Sequence, residues 1–267
     1  MKIILSRKGF DSSNGGCASP IMPDGTLLSM PIPDREGVSF SDIAWNGITY
    51  ADILRQTSKK GSHDMCHLDP DIRNNRVKPV EGWTPAFGQI GAAQGLLANA
   101  GVEKGDIFLF FGWFRQIEET VNGYQFASRK NKDFYYGNDL QVIYGYMQVG
   151  EILSDQDEIR KYYWHPHASE LHTKKANNVL YLPSDYLSME RTLKGYGVLD
   201  FRKDRVLTME HKSRGIWNEY SFLMPEHVYG NKKNSAKDGG LYYSGIWQEL
   251  VVYESDGLID WVKHVIM

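Results

Sequence analysis

The sequence predicts an α+β fold: a single mixed domain with a mainly antiparallel, partly barrel-like sheet and flanking helices. Two apolar segments, at residues 105–114 and 140–153, have the composition of long strands. Small and apolar residues fill 88–100 and are followed by Gly101 as a left-handed cap, a pattern that predicts a helix. No linker, internal repeat or low-complexity segment divides the 267 residues, so one domain spanning 1–267 is the simplest prediction.

The remaining elements are predicted in chain order by the same reasoning. Residues 1–5 form an apolar run typical of a strand, and residues 49–56 predict a short helix. Gly145 and Gly150 interrupt the segment 140–153 and predict bulges or sharp bends there. After a polar insert at 122–138, the sequence predicts a helical and then looped stretch at 155–175, strands at 178–182, 197–201 and 247–253, and a last helix at 258–266.

Bulk composition excludes several classes of protein. Hydrophobic residues make up 42% and charged residues 24% of the chain, as in ordinary globular proteins, and a net charge of −3 argues against nonspecific nucleic-acid binding. Cys17 and Cys66 are too few for a disulfide framework or a zinc cluster, which predicts a reduced, cytoplasmic protein. No stretch approaches about 20 apolar residues, so membrane and secretory classes are not expected. No cofactor is implied, and the oligomeric state stays open.

The loop at residues 6–16 is the first candidate for a functional segment. Ser6, Arg7, Lys8, Phe10 and Asp11 lie in it together with three glycines, directly after the first predicted strand. Glycines let the backbone approach a ligand closely, and unpaired N–H groups in such a loop form an anion-binding concavity. The alternative is a charged hairpin turn near the N-terminus.

A second candidate is the motif His67-Leu-Asp69-Pro-Asp71. Two carboxylates and an imidazole within five residues support acid–base chemistry or metal binding when they converge on one ligand. The alternative is a solvated turn, since Asp-Pro-Asp is also common at the start of helices.

Other polar groups are weaker candidates. His165 and His167 lack helical metal-ligand spacing and a third ligand nearby in the sequence, so we predict no metal site, but His165 remains a candidate contact to substrate. Arg214 is the last residue of a polar segment, 210–214, whose cationic side chains are suited to binding phosphate. The alternative is that this segment is a solvated face, which is more common. The glycine-rich stretch around Gln89 lacks the βαβ context of a dinucleotide-binding motif, yet Gln89 remains a candidate contact near a helix N-terminus.

The N-terminal pattern resembles a known family. Ser-Arg-Lys-Gly-Phe-Asp-Ser-Ser-x-Gly-Gly, followed by Ala-Ser-Pro-Ile-x-Pro-Asp-Gly-Thr-Leu-Leu-Ser-Met-Pro-Ile-Pro, is similar to the third nucleotide-modification-associated domain family, found in bacteria and phages near DNA-modification genes. His-Leu-Asp-Pro-Asp and Gly-Asp-Ile-Phe-Leu-Phe-Phe-Gly-Trp-Phe fit the same family, so the similarity spans most of the chain. The resemblance implies action on modified DNA bases or their nucleotides, and it points to Arg7, Lys8, Asp11, Asp69 and Asp71.

The central strands also resemble another group. Gly-Asp-Ile-Phe-Leu-Phe-Phe and Ile-Tyr-Gly-Tyr-Met-Gln-Val-Gly-Glu-Ile are loosely similar to barrel strands of the PUA-like superfold, with its ASCH and EVE relatives. This similarity implies a nucleic-acid or nucleotide-handling barrel, with a flipped base as a natural ligand. Any antiparallel core uses such strands, so the alternative of an unrelated sheet stays open.

The leading hypothesis is a DNA glycosylase that cleaves the N-glycosidic bond of a modified base in DNA, with a role in phage defence. Asp11 is the first choice for the catalytic carboxylate, and Asp69 or Asp71 the second. Around the carboxylate, Arg7 and Lys8 hold phosphate or the departing base, and the other predicted contacts to substrate are Ser6, Phe10, His67, Gln89, Trp113, His165 and Arg214. The alternatives are a non-catalytic PUA-like reader of modified bases and a nucleotide-level transferase in a base-modification pathway.

Overall fold

The computed structural model describes residues 1–58, 64–229, 235–237, 239–245 and 248–267. Its fold is α+β, with 20% helix and 35% strand, and the principal sheet is mixed and curled into a half-barrel. The predicted fold class is therefore confirmed.

The strands and helices have the following bounds. The strands are β1 (Ile3–Arg7), β2 (Ser19–Ile21), β3 (Ile32–Asp34), β4 (Val38–Ser39), β5 (Ala44–Trp45), β6 (Ile48–Thr49), β7 (Met65–His67), β8 (Phe87–Gln89), β9 (Ile107–Thr120), β10 (Gly123–Phe126), β11 (Leu140–Leu153), β12 (Val179–Pro183), β13 (Tyr186–Leu187), β14 (Glu190–Lys194), β15 (Tyr196–Val198), β16 (Ile216–Trp217), β17 (Ser235–Lys237), β18 (Gly240–Tyr242) and β19 (Glu249–Val252). The α-helices are α1 (Tyr50–Thr57), α2 (Gly91–Asn99), α3 (Phe134–Gly137), α4 (Gln156–Arg160), α5 (Glu170–Thr173) and α6 (Leu258–Ile266), and 3₁₀ turns lie at Pro166–Ala168, Lys203–Arg205, Ser221–Leu223 and Pro225–His227.

The half-barrel joins both ends of the chain. Its strands run in the order β19-β1-β9-β11-β12-β8, with β2 and β10 also paired to β9 and β15 to β11. Leu5 of β1 lies opposite Leu109 in a parallel pairing and opposite Leu250 in an antiparallel one. The pairing of β2 with β9 is also parallel, and the remaining pairings of this sheet are antiparallel.

Glycines shape the long strand β11 where the sequence predicts bulges. Its register shifts between Ile143 and Gly145 against β9, and again between Val149 and Glu151 against β12. A Cβ at Gly150 would lie 2.5 Å from the Pro183 carbonyl oxygen, closer than real side chains approach a backbone atom. Both predicted bulges are confirmed, and glycine is required at the second because β12 passes directly over it.

The helices follow the sequence with one correction. Helix α1 begins where Thr49 accepts a hydrogen bond from the Asp52 amide, and α6 has the predicted bounds. Helix α2 starts only at Gly91, because Gly88 and Gln89 belong to β8, which pairs antiparallel with β12. This antiparallel pairing agrees with the absence of a dinucleotide-binding βαβ unit. Among the described residues, no helix combines the length and the apolar character needed to cross a membrane.

The other predicted strands differ mainly at their ends. The predicted strand 178–182 is β12, shifted by one residue, and 197–201 overlaps β15 only at its start. The predicted strand 247–253 corresponds to β19, although Trp247 lies outside the described residues. The polar stretch 122–138 contains β10 and α3.

Separate apolar clusters cover the two faces of the half-barrel. On one face, Leu5, Leu109 and Trp217 pack with Leu258 and Val262 of α6. On the other face, Phe108, Phe110 and Phe87 pack with Leu97 of α2. A third cluster around Phe10, Phe40 and Ile53 binds the N-terminal small strands to α1. Phe10 of the loop after β1 belongs to this third cluster and anchors the loop to it.

We expect Gly150→Ala to lower the free energy of unfolding by about 1–3 kcal/mol, because its Cβ would overlap the β12 backbone. Gly95→Ala is the matched control: it lies within α2 with no atom within 4 Å of the added Cβ, so it is expected to be neutral or stabilising by up to about 1 kcal/mol. Urea denaturation of both variants measures the difference. Equal effects would show that the bulge tolerates a side chain.

Candidate functional site

The loop after β1 is a compact structure tied together by Asp11. The Asp11 Oδ1 atom accepts hydrogen bonds from the Ser13 and Asn14 amides, both at 2.7 Å. A Cβ at Gly15, whose φ is +81°, would lie 2.3 Å from the Phe10 ring. The Phe10 side chain is buried beneath the loop against Phe40. The carboxylate of Asp11 therefore fixes the loop conformation, as in an Asx-turn.

A cavity of about 330 Å³ opens beside this loop. We call it the histidine cavity, because His67, His167 and His172 line it. It brings together six residues that the sequence predicts for the site: Arg7, Lys8, Asp11, His67, Asp69 and Gln89. Asp34, His167 and His172 also line it but are absent from the predicted set.

Asp69 is the most enclosed carboxylate of the histidine cavity. Its side chain is 5% exposed, its Oδ1 accepts a hydrogen bond from the Gly88 amide at 2.7 Å, and the same oxygen lies 3.2 Å from His165 Nε2. Burial raises the pKa of this carboxyl, but the close approach of His165, together with His167 and Lys8 nearby, outweighs burial and holds the pKa well below its usual range. Asp69 is therefore an ionised carboxylate in an enclosed site at neutral pH.

The ammonium group of Lys8 belongs to a buried hydrogen-bond network centred on Glu249. The ammonium lies 3.0 Å from Glu249 Oε1, which also accepts hydrogen bonds from Ser6 Oγ at 3.0 Å and Gln89 Nε2 at 2.6 Å. The same ammonium lies 4.4 Å from the centroid of the Phe87 ring. Burial raises the pKa of Glu249, and Lys8, Ser6 and Gln89 act against that rise. Three predicted residues thus converge on a carboxylate that the sequence analysis did not select.

On the other side of the loop lies a second cavity, of about 390 Å³. We call it the aromatic cavity, because Trp113 and Tyr243 line it with Arg214. The Arg214 guanidinium carbon lies 3.8 Å from the Trp113 ring centroid, and Arg214 Nη2 donates to Ser12 Oγ at 2.6 Å. The buried Trp113 Nε1 and Gln141 Oε1, also in its lining, have no hydrogen-bond partner among the described residues.

Arg7 and Asp11 line both cavities, so the loop forms the wall between them. Arg7 Nη2 lies 3.9 Å from Asp11 Oδ2, a loose pairing that leaves the guanidinium available to an anion. Phe10 also lines the aromatic cavity, although its ring is largely buried beneath the loop.

Three predicted residues lie outside both cavities, and one of them, the buried Ser6, donates to Glu249 as described above. The buried Asp71 accepts hydrogen bonds from both Arg76 terminal nitrogens, at 3.1 and 2.7 Å, and from Trp83 Nε1 at 3.0 Å. His165 lies behind Asp69 and is 2% exposed. Asp71 therefore anchors its own segment, and His165 reaches the histidine cavity only through Asp69.

The three histidines are also the group that could hold a metal ion among the described residues. Their ligand nitrogens all lie within 4.8 Å of one another. The sequence places no third ligand beside His165 and His167, but the fold brings in His67 from β7 and His172 from α5. Since their separations along the chain follow no metal-binding spacing, only the tertiary structure reveals the group.

Comparison with known proteins relates the chain to one family. A family model described as nucleotide modification associated domain 3 matches residues 2–252. No curated protein and no solved structure matches. The match covers the half-barrel and every residue of the two cavities, and the looser similarity to PUA-like barrels stays a prediction.

Proposed function

The chain belongs to the nucleotide modification associated domain 3 family, and from that premise we propose that it hydrolyses the N-glycosidic bond of a modified base in DNA, in defence against phage. The observation that carries this proposal is the largely buried carboxylate of Asp69, which lines a cavity that a cationic residue, Arg7, also lines. The family itself supports involvement in nucleotide modification, and the reaction class is our inference from the cavity.

In the proposed reaction, a water oxygen bonds to C1′ of the deoxyribose as the C1′–N bond breaks. The departing base takes a proton from that water, directly or through a protein group, and the DNA strand keeps an abasic site. A carboxylate beside C1′ stabilises the positive charge that develops on the sugar or accepts a proton from the water. Both carboxylates line the cavity, but Asp69 suits this role better than Asp11. Residues of its own loop donate to both Asp11 oxygens, whereas the Gly88 amide and His165 both lie against the single oxygen Oδ1 of Asp69.

The two cavities suit two neighbouring nucleotides. Enzymes that act on a base turn it out of the stack into a pocket, here the histidine cavity. The adjacent base would stack in the aromatic cavity, whose lining includes Trp113, Tyr243 and Arg214. Arg7, in the wall between the cavities, would hold the phosphate that joins the two nucleotides.

The test is mass spectrometry of phage DNA carrying hypermodified cytosines after incubation with the protein. We expect release of the free modified base and formation of abasic sites, and no release from the same sequence amplified with ordinary nucleotides. Tight, selective binding without product would instead support a non-catalytic reader. Competition by free nucleotides, again without base release, would support a nucleotide-level transferase.

A further inference from the structure

His67, His167 and His172 reach the histidine cavity from three separate elements. His67 ends β7, His167 lies in the 3₁₀ turn Pro166–Ala168, and His172 lies in α5. The ring of His167 lies 5.2 Å from that of His67 and 4.8 Å from that of His172, and the rings of His67 and His172 lie 5.2 Å apart. Each imidazole therefore neighbours the other two.

The Nδ1 atom of each ring already has a partner outside the group. His167 Nδ1 lies 2.7 Å from Asn178 Oδ1. The Asn178 amide nitrogen donates to Gln156 Oε1 and to the His167 carbonyl, which identifies Oδ1 as the acceptor. His167 Nδ1 therefore carries the proton, and its Nε2 keeps a free lone pair.

The other two rings are arranged in the same way. His67 Nδ1 lies 3.4 Å from Asp34 Oδ2, and an ionised carboxylate only accepts. His172 Nδ1 lies 3.0 Å from Ser169 Oγ, a hydroxyl that accepts a hydrogen bond when Nδ1 carries the proton. Acceptors at Nδ1 fix the tautomer and orientation of metal-binding histidines, with carboxylates prominent among them. The Nε2 atoms are thus the nitrogens left to meet in the cavity.

The backbone of β8 lies directly against one of the three rings. A Cβ at Gly88 would lie 2.2 Å from His167 Cδ2, so glycine is required for β8 to pass beside this ring. A metal ion binds neutral imidazole through the lone pair of the ring nitrogen that carries no proton.

We propose that His67, His167 and His172 bind one first-row divalent transition-metal ion through their Nε2 atoms. Imidazole nitrogens favour zinc and its neighbours in the series, whereas magnesium and calcium prefer oxygen ligands. Three histidines with a coordination position left open to a cavity form the catalytic type of zinc site, in which water or substrate is the fourth ligand. This inference stands on the histidines alone and does not depend on base release.

The test is titration of the chelator-treated full chain with Zn²⁺ by calorimetry and with Co²⁺ by visible absorption. We expect one ion per chain and the d–d bands of a Co²⁺ ion bound by nitrogen ligands. His172→Ala, at a half-buried position, should weaken binding by more than ~100-fold, whereas Asp34→Asn, which changes only an outer partner, should weaken it by ~10–100-fold. His211→Ala removes a histidine whose side chain is 77% exposed, and should change nothing.

Each of these results bears on the metal site alone, because no DNA is present. The proposal would be overturned if neither Zn²⁺ nor Co²⁺ bound to the full chain, whether or not the chain had first been treated with chelator. So would equal affinity in the unsubstituted chain, His172→Ala and His211→Ala, with circular dichroism confirming that each variant is folded. Metal uptake without base release would leave the site in place and contradict only the proposed reaction.

Discussion

Asp69→Asn is expected to lower the rate of base release by about 10²–10⁴-fold, the usual contribution of a catalytic acid or base. Asparagine has nearly the same shape, and its oxygen still accepts the hydrogen bond from the Gly88 amide. It carries no negative charge, so it neither stabilises a cationic sugar nor accepts a proton. The substitution therefore removes the chemistry of the carboxylate while leaving its volume in place.

The measurement is single-turnover release of the modified base, followed by mass spectrometry beside the unsubstituted chain. Asp157→Asn is the matched control, because this carboxylate lies in α4 with 86% of its side chain exposed. Metal content measured on the same samples separates loss of the carboxylate from loss of a bound ion. Undiminished base release by Asp69→Asn would contradict the proposal that Asp69 is the catalytic carboxylate. A larger loss of activity in Asp11→Asn would identify Asp11 as the catalytic carboxylate instead.

Segments whose structure depends on neighbours in sequence were the most predictable part of the fold. The segment 140–153 is apolar over its length and carries two glycines, so both the strand and its two bulges could be read directly. The start of α2 could not be predicted, because nothing in the local sequence of Gly88 and Gln89 distinguishes a strand from the first turn of a helix. These residues form a strand only because they pair with β12, which lies far along the chain: the partner of Gln89 is Val179, 90 residues later.

In the candidate site, too, the residues that could be predicted are those contiguous in the sequence. The motifs 6–11 and 67–71 are contiguous, so their polar character was visible, and the fold places residues of both in the histidine cavity. Which of Asp69 and Asp71 enters the cavity depends on Arg76, and the guanidinium of Arg76 binds Asp71. His172 and Glu249 were missed because their partners in the site are distant in the chain. An isolated polar residue in a helix or strand is ordinarily solvated, so neither residue was expected to be part of a site.

The buried pair of Lys8 and Glu249 predicts the largest effect on stability. Their side chains are 5% and 0% exposed, and the Glu249 carboxylate is also the acceptor for Ser6 and Gln89. Glu249→Ala leaves an ammonium buried without its counter-charge, so we expect it to lower the free energy of unfolding by about 3–5 kcal/mol. Glu254→Ala, at a carboxylate 67% exposed and paired with the N-terminal ammonium, should cost no more than about 1 kcal/mol.

A double-mutant cycle separates the pair from the loss of packing. Lys8→Met and Glu249→Leu are each expected to destabilise strongly, whereas the double variant should be more stable than the sum of the two predicts, because neither charge is left alone. Denaturant unfolding measures all four proteins, and strict additivity would show that the two charges do not interact. A strong coupling would mean that the charge of Lys8 is neutralised inside the protein, which leaves Arg7 as the cation of this loop that meets a phosphate.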